Sequence, residues 1–332
     1  MRTGFGISFS AWKASAIFCC SAATAALWNP LQRAEAEEAG PTELRLGFQK
    51  GSVNLTLLKL RGTLESALSR TGVKWVEFPA GPQLLEALAV GSIDVGATGD
   101  TPPVFAQAAG KPLLYVGTEP PKPDASAVLV KAASPIRTLA DLHGKRIALQ
   151  KGSSSHYFLV KVLEQARLAW SDIQPHYLAP ADARAAFERG AIDAWVIWDP
   201  YYAAAELEGQ ARVLATSRGF TNNNSVYLAA PAFAERHAAT LQRLFAALTE
   251  TDAWARAHRQ EAAQRYADFS GLNLGTAYRL LERRPPSPVT PITPQVVADQ
   301  QRVADAFLRL QLIPRPIRVA DAAWQAARVA TR

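Results

Sequence analysis

The stretch Ile93 to Pro103, IDVGATGDTPP, decides how this chain is read. A short apolar run, Ile93 to Ala97, predicts a strand. Thr98-Gly99-Asp100 is then a tight loop, and Pro102 and Pro103 fall in the first turn of a helix, where a missing N–H costs little. Two other loops repeat the arrangement: QKGSSSH at Gln150 to His156 follows a strand expected over Arg146 to Leu149, and WDPYY at Trp198 to Tyr202 follows one over Ala194 to Ile197. In a parallel α/β fold such loops lie at the carboxyl ends of strands, beside helix N-termini, where open sheets bind ligands. They point to a site for a small anion.

Outward from these loops the chain alternates in the manner of a doubly wound sheet. Leu44 to Phe48 reads as a strand, Ser52 opens a helix to about Arg70, Val73 to Phe78 is β-rich, and Pro82 opens a helix to Val90. The rhythm restarts at Arg146 with strands expected over His176 to Leu178 and Ala194 to Ile197. β-rich runs near 127–131 and 226–230 predict two strands that carry the chain between lobes. The expected architecture is α/β, a two-lobed clamshell, with residues 42–128 plus 227–332 in one lobe and 129–226 in the other. Beyond 230 the pattern is almost purely helical, except for Pro285 to Pro294, whose five prolines predict an extended strap. No repeat of solenoid period is evident, and the two lobes share a rhythm without obvious sequence similarity.

The 332 residues, 48% hydrophobic and 20% charged, are enough for two lobes of ordinary size. Residues 1–36 read as an export signal: Arg2 and Lys13 supply a basic start, Ala14 to Leu27 is small and apolar, and Ala34-Glu35-Ala36 offers a cleavage site. That run is shorter than the roughly 20 residues that span a bilayer. Both cysteines, Cys19 and Cys20, lie inside it, so the mature chain is expected to hold neither disulfide nor thiolate. The net charge of +7 falls to +5 once Arg2, Lys13, Arg33 and Glu35 are removed. Basic residues are scattered among acidic ones, with no nucleic-acid module, which suits solubility or anionic solutes.

In GSSSH, Gly152 permits close backbone approach, and Ser153, Ser154 and Ser155 place hydroxyls at a helix start. Backbone N–H groups and hydroxyls there could hold a tetrahedral oxyanion without a buried Lys or Arg; an ordinary N-cap explains the same residues. Gly99 and Asp100 support the same pair of readings in the first lobe. Trp198, Tyr201 and Tyr202 form an aromatic wall beside Asp199, suited to a ligand tail, although Trp198 also reads as lobe core. Asn223, within TNNNS (221–225), could donate from its amide, or simply form a turn. Catalytic and cofactor signals are lacking: no Walker A loop, GxGxxG, HExxH or Gly-x-Ser-x-Gly is present, so neither metal nor nucleotide cofactor is expected. His156 reads as a helix-surface or cleft-edge residue rather than a base.

These residues resemble the periplasmic solute-binding proteins for aliphatic sulfonates that serve ATP-driven importers. The resemblance spans about Leu44 to Trp324 and is carried by LRLGFQKGS (44–52), WVEFPAGPQLLEAL (75–88), GSIDVGATGDTPPVFAQAAG (91–110), EPPKP (119–123), QKGSSSH (150–156), DIQPHYLAPADARAAF (172–187) and DAWVIWDPYY (193–202). It implies a periplasmic monomer with an alkanesulfonate ligand, a membrane permease as partner, and a role in sulfur acquisition. By matching segment the ligand-facing positions are Gln49, Gly51, Gly99, Asp100, Ser153, Ser154, Ser155, Trp198 and Asp199, with Asn54, His156 and Asn223 as further candidates.

A sulfonate is charged at every physiological pH and its three oxygens need several donors, which helix N-termini and hydroxyls provide. Affinity is then expected to be flat between about pH 6 and 8. The same scaffold admits taurine, nitrate or a thiamine precursor as ligand. It also resembles in outline a desulfinase, which would need a cysteine nucleophile, and a pyrimidine-precursor synthase, which would not be exported.

Overall fold

A computed structural model describes residues 40–208 and 211–325; the expected export signal lies outside them. The elements run in chain order β1 (Glu43–Phe48), α1 (Val53–Arg61), α2 (Thr63–Ala67), β2 (Gly72–Glu77), α3 (Gly81–Ala89), β3 (Val95–Gly99), α4 (Thr101–Ala108), β4 (Leu114–Glu119) and β5 (Ser126–Lys131). They continue with β6 (Arg146–Leu149), α5 (Ser154–Ala166), β7 (Gln174–Tyr177), α6 (Pro180–Glu188), β8 (Ala194–Trp198), α7 (Tyr201–Leu207), β9 (Ala211–Thr216) and β10 (Ser225–Ala229). Five helices follow: α8 (Pro231–Arg236), α9 (Ala238–Ala257), α10 (Arg259–Ser270), α11 (Leu274–Arg283) and α12 (Pro294–Arg309).

The strands form two five-stranded sheets, ordered β2-β1-β3-β10-β4 and β7-β6-β8-β5-β9. In each, three strands are parallel and the fourth in the row is antiparallel to both neighbours. β10 therefore belongs to the first sheet and β5 to the second, and the chain passes between sheets in 120–125 and again in 217–224. β9 was not anticipated from the sequence. Its residues are only half buried throughout, so ARVLAT at 211–216 lacks a clear inward apolar alternation.

The central strands of each sheet are buried on both faces, which is why β3, β5, β8 and β10 read as near-continuous apolar runs. Leu55, Leu58, Leu64, Leu241, Leu244 and Leu248 cover one face of the first sheet, and Leu84, Leu88, Val104, Val303 and Phe307 the other. Phe158, Leu159 and Leu163 of α5 cover one face of the second sheet, opposite Phe187 and Tyr202 on the other. The proline strap lies extended against β4, exchanging two backbone hydrogen bonds between Thr118 and Thr290.

The shared topology exposes a repeat that inspection of the sequence missed. Arg45 on β1 clasps Asp94: its backbone N and Nε donate to Oδ2 at 2.8 and 3.0 Å, and its Nη2 to Oδ1 at 2.6 Å. Arg146 on β6 clasps Asp193 through the same atoms at 2.8, 3.1 and 2.8 Å. Each guanidinium also donates to a glycine carbonyl, Gly91 or Gly190, in a turn where φ is +71° or +72°. Both arginines are followed at the same spacing by Gln-Lys-Gly-Ser, residues 49–52 and 150–153. The halves align only once β1 is matched to β6 and β3 to β8, because few other positions are shared.

Asp94→Ala is expected to lower the unfolding free energy by about 2–3 kcal/mol, since it strands donors of a charge-assisted clasp. Asp193→Ala should cost less, its carboxylate being 30% exposed against 11% for Asp94. Urea denaturation of the two variants checks both values.

Candidate functional site

The carboxyl ends of β1 and β3 face those of β6 and β8, so four strand-to-helix loops converge between the sheets. They enclose a cavity of about 80 Å³. Gln49, Gly51 and Gly99 line it from the first lobe, Ser153, Ser154, Trp198 and Asp199 from the second, and Asn223 from the segment connecting β9 to β10. The lobes touch around it. A Cβ on Gly51 would lie 2.9 Å from the carbonyl oxygen of Asp199 and 3.1 Å from Trp198 Cδ1, and one on Gly99 would collide with Ser154 Oγ.

Three of the converging helices begin without a side-chain cap. At α1, Ser52 Oγ instead accepts from the Gln49 N–H at 3.4 Å, and at α5, Ser153 Oγ donates to the Gln150 carbonyl at 2.7 Å. At α4 the expected Asp100 cap is absent: its carboxylate accepts from Thr101 Oγ1 at 2.9 Å. Ser52, Ser153 and Ser154 all line the cavity, so the positive ends of α1 and α5 bear on it. At α7, by contrast, Asp199 Oδ1 accepts from the Ala203 N–H at 2.9 Å.

The main correction concerns charge. The sequence led to an anion site without a buried cation, yet Lys122 and Arg284 both line the cavity. Their side chains are 7% and 8% exposed and converge on one carboxylate, Glu119, whose Oε2 lies 2.9 Å from Lys122 Nζ and 3.5 Å from Arg284 Nη2. Burial alone would raise Glu119; the charges of Lys122 and Arg284 outweigh it and hold the carboxyl at about 2. Tyr227 and Asn54 donate to its other oxygen at 2.8 and 3.0 Å. Two cations and one anion leave an excess of one positive charge in this cluster, while Asp199, the other charged residue lining the cavity, pairs with Arg283.

Several expected positions lie elsewhere. Asn54 stands behind the wall, its amide divided between Glu119 and the Ser287 carbonyl. Asp100 is buried on the far side of the Gly99–Ser154 contact, next to a second interlobe hollow of about 370 Å³; burial pushes its carboxyl up to about 6. Ser155 is fully buried within α5. His156 is fully buried, not at a cleft edge. It sits among Trp170 and Tyr177 of its own lobe and Phe105 and Phe307 of the other, with ring centroids 5.0 to 6.0 Å away. Its Nδ1 accepts from the Gly152 N–H at 3.2 Å, and burial lowers its pKa to about 3. Asn223 lines the cavity, but its amide donates to the Lys122 carbonyl and Ser126 Oγ at 2.9 and 3.1 Å, holding the connecting segments together.

Lys122 and Arg284 escaped the sequence reading because each stands in a proline-rich segment, PPKP and RRPPSP, without helical or strand periodicity. Among the described residues, no group of three or more His, Cys, Asp or Glu side chains is placed to hold a metal ion, and no helix is long and apolar enough to cross a membrane.

A family model described as NMT1/THI5 like matches residues 73–262. The aliphatic sulfonates-binding protein of Escherichia coli strain K12 is 49% identical over 292 residues, 88% of this chain and 92% of that protein. The alkanesulfonate-binding protein SsuA from Xanthomonas axonopodis pv. citri, in a structure bound to MOPS, is 47% identical and superposes with a TM-score of 0.84 over 86% of this chain and 99% of that one. The periplasmic aliphatic sulphonate binding protein SsuA from Escherichia coli gives a TM-score of 0.80 over 86% and 92%. The desulfurization enzyme DSZB, 17% identical with a TM-score of 0.62 over 88% and 99%, shares the fold alone. With the two sheets, their facing loops and these relatives together, the chain belongs to the family of periplasmic aliphatic sulfonate-binding proteins.

Proposed function

We propose that this chain captures aliphatic sulfonates between its lobes in the periplasm and delivers them to an ATP-binding-cassette importer, performing no chemistry on them. The observation that carries this reading is the charge of the cavity wall. One positive charge in excess, from Lys122 and Arg284 against Glu119, suits a monoanion better than a dianion such as sulfate. Ser153 and Ser154, with the N-termini of α1 and α5, add neutral donors for the remaining oxygens. Trp198 and Leu280 offer apolar surface to a carbon tail. An enzymatic reading has less support, because Cys19 and Cys20 are the only cysteines and both fall in the expected export signal. His156 lacks the access a general base needs.

Calorimetric titration with ethanesulfonate, pentanesulfonate, taurine, sulfate and nitrate, in sulfonate-free buffer, tests the reading. Saturable binding of the alkanesulfonates in preference to sulfate and nitrate is expected; failure of every sulfonate to bind folded protein would refute it. Arg284→Gln balances Lys122 against Glu119 and is expected to weaken sulfonate binding by about 10- to 100-fold, the worth of one charged hydrogen bond.

Capture requires closure, so Gly51→Ala, which sets a methyl group against the backbone of the opposite lobe, should weaken binding by about tenfold or more through overpacking. The melting temperature of the ligand-free protein should stay nearly constant.

The expected flatness with pH narrows. Closure buries Asp199, and burial pushes its carboxyl up to about 7 against the opposing charge of Arg283. It also buries His156, taken down to about 3. At least one unit above pH 7 each group has nearly the same charge in the open and closed forms, so affinity should level off there. Below pH 7, closure takes up a proton at Asp199, which favours binding in acid, and expels one from His156, which opposes it. His156→Gln should therefore bind more tightly as pH falls from 7 towards 5, as read by titrations across that range.

A further inference from the structure

Arg283 does not line the cavity, yet it joins the cavity wall of one lobe to the helices of the other. It ends α11, whose Leu280 and Leu281 pack with Val53 and Leu57 of α1 and Tyr266 of α10 in the first lobe. Its side chain, 7% exposed, reaches the β8–α7 unit of the second lobe. There Nη1 donates to Asp199 Oδ1 at 3.0 Å, Nη2 pairs with Glu206, and the guanidinium carbon stands 3.7 Å from the centre of the Tyr202 ring. Arg279, one turn earlier, donates to the same Glu206 at 3.1 Å. Two arginines of one lobe thus balance two carboxylates of the other, and one of those carboxylates lines the ligand cavity.

We propose that Arg283 is a positioning residue for the captured anion: crossing between lobes, it cancels the charge of Asp199 in the closed molecule, so that closure and anion capture depend on this ion pair. The inference rests on the anion-capture reading above. Asp199 is nearly sealed, its side chain 3% exposed, and its Oδ2 has no hydrogen-bond partner. The groups around it are Arg283 and Arg279 from α11, Glu206 and Tyr202 from α7, and Tyr266 from α10. Without Arg283 the closed form must hold an uncompensated carboxylate beside the bound anion, or take up a proton there. The open form, where Asp199 meets water, has no such penalty. The loss therefore falls on the closed form alone.

The test is a double-mutant cycle read by calorimetry with ethanesulfonate at pH 7.0 and 8.5, using the wild type, Arg283→Gln, Asp199→Asn and the double variant. Arg283→Gln is expected to weaken binding by about 10- to 100-fold when Asp199 is present and by less than about threefold in the Asp199→Asn background. It should also make affinity fall several-fold between pH 7.0 and 8.5, because closure must then protonate Asp199 more fully; the wild type should change by no more than about twofold. An equal loss in both backgrounds, no loss in either, or a pH profile like that of the wild type would overturn the proposal and reduce Arg283 to a packing residue. Failure of the wild type itself to bind ethanesulfonate would refute the sulfonate reading and this inference with it.

Discussion

The chain leaves the first sheet unfinished and completes it only after the second: β5 follows β4 yet sits between β8 and β9, and β10 follows β9 yet sits between β3 and β4. This exchange is the constraint on which the molecule depends. It obliges the chain to cross twice between lobes that are otherwise independent α/β units. It also fixes which sheet edges stand side by side, and thereby turns the carboxyl ends of β1, β3, β6 and β8 towards one another. A ligand site at the ends of parallel strands is ordinary for this class; here two such sites are made to share one cavity.

The electrostatics follow from the same arrangement. Glu119 ends β4, Lys122 lies in the first crossing, and Arg284 begins the strap that runs back along β4. Burying two cations on one carboxylate is tolerable because Tyr227 and Asn54 complete the hydrogen bonding of Glu119. The surplus charge then remains available to a ligand. Across the cavity, Asp199 is a nearly buried carboxylate, and Arg283 pairs with it from the other lobe. The contact of Phe105 and Phe307 with His156 adds apolar surface buried between the lobes.

Much of this was legible in the chain itself. Gly99, Ser154 and Trp198 could be picked out because small, hydroxyl and aromatic residues stood directly after apolar runs, a local pattern with local causes. What failed was the assignment of particular side chains to particular partners, near or distant in sequence. Asp100 and Ser153 looked like helix caps, since capping is the commonest local use of such side chains; instead their oxygens bond Thr101 and the Gln150 carbonyl. His156 looked like a surface residue because its own helix says nothing of Phe105 and Phe307, which come from the other lobe. The repeat of Arg45 and Asp94 in Arg146 and Asp193 became visible only through the strand order.

The sequence by itself determined the alternation of strands and helices, the family, and the loops that reach the cavity, because hydrophobic periodicity and helix-start chemistry act between neighbours along the chain. Tertiary structure alone decided the charges that meet at the cavity and the ion pair that joins the lobes. Glu119 meets Arg284, and Arg283 meets Asp199, across separations of 165 and 84 residues. Such pairs are created by the crossing of the lobes, and burial then decides whether each charge is a liability or a contact.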